Sequence, residues 1–150
     1  MKNIFQPEVT GEIIERINTL TPATAQLWGK MNVAQMLAHC NVSYEMVYED
    51  IHPKPGPIMK FILKKLVKGK VVSEKPYPKN NQTAPQFIIS NERDFEKEKS
   101  RLIDFINKTQ VLGESHFDGK ESHSFGPLNK TEWNNMFYKH LDHHLSQFGA

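Results

Sequence analysis

Apolar residues recur at three- and four-residue intervals in four long stretches of the chain, the spacing of one face of an α-helix. In VTGEIIERINTL the face is Ile13, Ile14, Ile17 and Leu20, with Thr10 placed to cap and Pro22 to terminate. The stretch from Asn32 to Asp50 carries Val33, Leu37, Cys40, Tyr44 and Val47, and Asn32 with Gln35 reads as a capping box. In SNERDFEKEKSRLIDFINKTQ, Phe95, Leu102, Ile103 and Ile106 form the stripe and Asn91 with Asp94 the cap pair, before an irregular VLGESHFDGKESHSFGPL connection. A second capping box, Asn129 with Glu132, opens the last stretch, which runs to Gln147. No alternation of period two is strong enough to build a sheet. Four such segments in a chain of this length predict an all-α protein, a four-helix bundle forming one domain over residues 1–150.

Between the second and third segments the pattern breaks down. IHPKPGPIMKFILKKLVKGKVVSEKPYPKNNQTAP holds six of the nine prolines, which forbid most regular structure. The exception is PIMKFILKKLVKG, a short amphipathic helix with Gly69 as its stop, expected to lay its apolar side on the body of the protein rather than on a membrane. QFIIS reads as a brief extended piece.

Charge sharpens the picture of this region. The net charge is +2, yet Pro53 to Lys79 contains eight lysines and one acid, Glu74, so this span carries +7 and the rest −5. With no arginine and only Phe61 and Tyr77 for stacking, the span lacks the chemistry that nucleic-acid grooves combine with charge, and a solvated lysine face is expected instead. No apolar run approaches the ~20 residues of a membrane span, the N-terminus does not read as a secretory signal, and the single Cys40 excludes an internal disulfide. A cytoplasmic location is the expectation.

Candidate chemistry concentrates in YKHLDHHLSQFG. Trp133, Met136, Phe137, Leu141, Leu145 and Phe148 form the apolar stripe of the last helix, and His140 and His144 occupy the steps that would complete it. His143 lies about 100° around the helix, toward solvent. An i, i+4 histidine pair aims two imidazoles at one ion, although two hydrogen-bonded core histidines would show the same spacing. His39 flanks the apolar stripe of the second helix, beside Met36 and Ser43, where it could face an interior cavity. Cys40 reads as a buried inert thiol and His52 as a turn residue. His116 and His123 sit in the connection before the last helix, and Gln147 lies one turn beyond His144, able to orient a ligand. There is no G-x-S-x-G elbow, P-loop or dinucleotide fingerprint.

HLDHHLSQ resembles the H-x-x-H-H-x-x-Q segment of the DinB/YfiT-like superfamily of candidate metalloenzymes, and WGKMNVAQMLAHC resembles its earlier single-histidine helix. SHSFGPLNKTEWNNMFYKHLDHHLSQFG is closer to an uncharacterised branch of that superfamily, with Ser124 where the branch usually has proline. The resemblance covers Trp28 to Gly149. It implies a four-helix bundle with a divalent metal ion (zinc, nickel or iron) held by His39, His140 and His144, open positions on the ion, and an enzyme acting on a small molecule by thiol transfer or hydrolysis. A low-molecular-weight thiol is the implied co-substrate. A non-catalytic metal- or ligand-binding module is the alternative, and a homodimer is compatible with either. Neither nucleic acid nor membrane is an expected partner.

Overall fold

The computed structural model describes all 150 residues. Its first helix begins where proline allows. Pro7 occupies the first turn of α1 (Pro7–Thr19), where a missing N–H costs nothing, and Gln6 is the N-cap. Thr10, expected as the cap, is instead buried within the helix and donates its hydroxyl to the Ile4 carbonyl at 2.7 Å. The second helix, α2 (Val33–Tyr48), starts at the expected capping box: Asn32 accepts from the Gln35 amide at 2.9 Å and Gln35 accepts from the Asn32 amide at 3.0 Å.

The lysine-rich span forms α3 (Pro57–Leu66) and α4 (Lys68–Val72). The break falls at Val67, not at Gly69, which lies inside α4. A single 3₁₀ turn, Pro85–Phe87, stands where an extended piece was expected. The long helix α5 (Phe95–Phe117) is capped by Asp94 alone, which accepts from the Lys97 amide at 3.0 Å. It continues past the expected end at Gln110 by absorbing a kink at Gly113, whose φ of 71° is open to glycine. A two-residue antiparallel ladder, β1 (Glu121–Ser122) with β2 (Gly126–Pro127), turns the chain into α6 (Lys130–Gln147). There the Asn129–Glu132 capping box is complete in both directions.

The protein is thus mostly helical. Helices α1, α2, α5 and α6 share one core, at whose centre Tyr44 stacks between Phe137 and Phe105, with ring centroids 4.9 and 5.7 Å away. Phe117 and Trp133 continue the aromatic layer. Each such side chain contributes about 1.5–3 kcal/mol on burial. Asn41, fully buried on α2, donates to the Glu98 carboxylate at 2.8 Å and ties α2 to α5. No helix is long and apolar enough to cross a membrane.

Helix α3 does not follow expectation, for it buries none of its residues. Ile58, Phe61 and Leu66 are 80, 62 and 69% exposed, so most of its apolar side faces outward. Helix α4 is held to α6 by polar bonds: buried Lys139 donates to the carbonyls of Lys70 and Ser73, Asn135 donates to the Val72 carbonyl at 2.9 Å, and Lys68 pairs with Glu132 at 2.8 Å. These bonds anchor α4 to α6, and the chain from α4 runs as a strap to the 3₁₀ turn, where the Phe87 carbonyl meets His39 of α2.

Candidate metal centre

Helices α2 and α6 meet under this strap, and their histidines meet with them. His39 of α2 and His140 and His144 of α6 bring ring nitrogens within 4.8 Å of one another, a group that could hold a metal ion. Their ring centroids lie 4.4 to 4.9 Å apart. His39 and His144 are buried, while His140 is partly exposed toward a cavity.

The outer nitrogen of every ring is held. His39 Nδ1 donates to the Phe87 carbonyl at 2.8 Å, which leaves Nε2 with a free lone pair directed inward. His144 Nδ1 donates to the Gln147 Oε1 at 2.8 Å, and Gln147 Nε2 in turn donates to the Trp28 carbonyl at 2.7 Å, so the amide orientation is set by its two partners. His140 Nδ1 lies 3.0 Å from the Ser43 hydroxyl, which can accept or donate and so serves either tautomer. This is the arrangement by which outer partners fix the tautomer and direction of metal-binding imidazoles.

His39 Nε2 and His140 Nε2 are 2.9 Å apart. Two nitrogens each about 2.1 Å from one ion stand about 3.0 to 3.4 Å apart, so a shift of a few tenths of an ångström lets this pair share an ion, while the three nitrogens, spread within 4.8 Å, must draw closer for all to reach it. Without one, a single N–H···N bond joins this pair. Burial, chiefly, holds all three imidazoles below the usual histidine value: His39 is lowered, His140 well lowered and His144 brought to about 3. They are neutral at pH 7, the form in which imidazole is a ligand. No carboxylate belongs to the group.

Gly29 completes the support. Its φ is +86°, and a Cβ there would lie 2.3 Å from Gln147 Nε2, so the tight approach that lets Trp28 receive the Gln147 amide requires glycine. Above the histidines opens a cavity of about 1390 Å³ bounded by α2, α6, α3 and the strap.

The structure brings together the three histidines that the resemblance implied and leaves His143 outside the group, its ring against Trp28, Tyr77 and His144 and lining the same cavity. Gln147 is 4% exposed and orients His144. His123 lines the cavity, whereas His116 lies on the surface beside Lys120. His52 is more than a turn residue: it pairs with Glu45 at 2.6 Å. Cys40 is buried with its thiol against Met36 Sδ, and burial pushes the thiol up. Three supports escaped sequence reasoning. Ser43, one turn from His39, had a signal in its spacing; the Phe87 carbonyl, a backbone group, had none; Gly29 showed only as a glycine in a loop.

Residues 5–150 match a family described as a protein of unknown function (DUF1569). Comparison with curated proteins and with solved structures finds no match.

Proposed function

From the premise that the chain belongs to the DUF1569 family, whose function is unknown, we propose that this protein is a divalent-metal-dependent enzyme acting on a small molecule. One observation carries the reading: three inward-directed imidazoles, each held by its outer nitrogen, stand at the floor of a large cavity. Structural zinc sites are closed by four protein ligands, whereas catalytic sites keep a position open. Here three neutral ligands are present and the cavity lies on the remaining side. Zinc, nickel or iron suits imidazole donors.

An ion held by His39, His140 and His144 would supply Lewis-acid activation of a water or thiol. The chain's own residues do the rest. Phe87, Ser43 and Gln147 hold the rings, and the apolar walls hold a substrate against the open side. Thiol transfer with a low-molecular-weight thiol, or hydrolysis, is the reaction class proposed. The four helices that share the core are read as a four-helix bundle of DinB/YfiT type, in a single cytoplasmic domain.

The test begins with metal content. Purified protein should hold about one divalent ion per chain, lost in His39→Ala, His140→Ala and His144→Ala and largely kept in His143→Ala. Equal loss from His143→Ala would show that the wrong face of α6 has been chosen. The loaded protein is then offered cellular thiols with model electrophiles, and separately simple esters and amides, with His140→Ala as the control. Metal-dependent consumption of a thiol supports transfer, and ester or amide cleavage without thiol supports hydrolysis. Tight metal binding with no turnover across both panels would favour a non-catalytic binding module.

A further inference from the structure

The cavity above the histidines has an unusual charge. The chain carries 17 acidic residues, yet none lines this cavity, while Lys30, Lys70 and Lys75 do. The lysines come from opposite sides: Lys30 follows Gly29 beside the Gln147 support, and Lys70 and Lys75 belong to α4 and the strap. The apolar part of the lining is soft, with Met46 and Val47 of α2, Met59 and Leu63 of α3, Phe125, and Met136 of α6.

An environment of one sign of charge over low-dielectric walls attracts the opposite charge and repels its own. A cationic ligand would find no carboxylate to pair with there. A fully apolar ligand would leave the lysine rim unused, and a small inorganic anion would leave the walls wet. Four methionines in the wall, Met31, Met46, Met59 and Met136, add side chains that repack around differing shapes, so tolerance in the apolar portion is expected.

We propose that this cavity selects amphipathic organic anions, with the anionic group at the lysines of the rim and the apolar portion against the methionine-lined wall, reaching toward the three histidines. The proposal rests on the metal reading for what happens at the far end of the ligand, but not for the preference for negative charge.

The test compares three probes of one shape, 4-phenylbutyrate, 4-phenylbutanol and 4-phenylbutylamine, by calorimetric titration of the full-length, zinc-loaded protein. The carboxylate should bind about tenfold or more tighter than the alcohol, the amine more weakly than either, and the advantage of the carboxylate should shrink with added salt. Combined Lys30→Gln, Lys70→Gln and Lys75→Gln substitution should remove about tenfold of the carboxylate affinity while leaving the alcohol and the zinc content unchanged. All three lysines are exposed, and circular dichroism checks that the variant folds. Equal affinity for carboxylate and alcohol, or no binding of any probe, would overturn the proposal. So would a carboxylate preference that survives in the lysine variant but vanishes in His140→Ala, since the anion would then sit on the ion itself. A chain that takes up no metal yet keeps a lysine-dependent preference would sink the metal reading and leave this one standing.

Discussion

Gln147 shows how much one amide can decide. It accepts from His144 and donates to the Trp28 carbonyl, so it links His144 of α6 to the loop before α2. Gln147→Leu preserves much of its volume but removes both bonds, and metal affinity measured by competition with a chelator should fall about 10- to 100-fold, the usual effect of losing an outer partner. Gly29→Ala should act through the same residue, because the new Cβ would occupy the place of the Gln147 amide. Strain at a positive φ adds about 1–3 kcal/mol of destabilisation, readable in a urea titration. Unchanged metal affinity in Gly29→Ala would mean that Gln147 can move without disturbing His144.

Among the elements, α3 and α4 differ in how they are attached. The exposed side of α3 has no packing to lose, so Phe61→Ser or Leu66→Ser should change stability by no more than about 0.5 kcal/mol. Ile106→Ala in the α5 core should cost about 2–5 kcal/mol. For α4 the attachment is polar and rests on Lys139, whose ammonium serves two carbonyls and lies over the Tyr77 ring at 4.5 Å. Burial lowers this lysine to about 8, a sign that it is held for its bonds at some cost to its charge. Lys139→Met should release the strap, seen as faster limited proteolysis between residues 68 and 90 with the helical signal intact. Proteolysis no faster than in the unaltered protein would show that Asn135 and Lys68 suffice.

At the level of the whole molecule, charge and burial set the response to solution conditions. In the metal-free protein His39, His140 and His144 are held neutral by burial, below the value they have in the unfolded chain. The unfolded state therefore takes up protons first. Stability is complete above about pH 7 and is lost as pH falls through about 6.5 toward the lower native values, by up to ~1.4 kcal/mol per pH unit for each histidine. Urea midpoints that stay level from pH 7 to 5.5 would contradict this. The lysine-rich span, for its part, is partly neutralised where it folds: Lys54 pairs with Asp50, Lys60 with Glu121 and Lys68 with Glu132. Affinity for DNA or RNA at physiological salt should be weak and nonspecific, with Kd above about 10⁻⁶ M. Submicromolar, salt-sensitive binding lost on neutralising Lys60, Lys64, Lys65 and Lys68 would overturn that expectation.

The sequence by itself determined whatever is settled within a few residues. Both capping boxes are of this kind, because Asn and Gln or Glu three residues apart satisfy each other's amides wherever the helix is placed. The pairing of His140 with His144 on one face of α6 is another, since helical pitch alone puts them there. Local signals misled where one residue type serves two outcomes. Gly113 could end α5 or kink it, and Gly69 could stop a helix or sit within one. Helical pitch could not say which histidine joins the pair: His39 was implied by the resemblance alone, and it lies 101 residues from His140 along the chain and meets it only through the packing of α2 on α6. Only the tertiary structure decided that Phe87 should hold His39, because a backbone carbonyl carries no side-chain identity to read. The exposure of α3 likewise followed from where the core has room: α1, α2, α5 and α6 fill it among themselves, and an amphipathic pattern shows that a helix has an apolar side without saying what covers it.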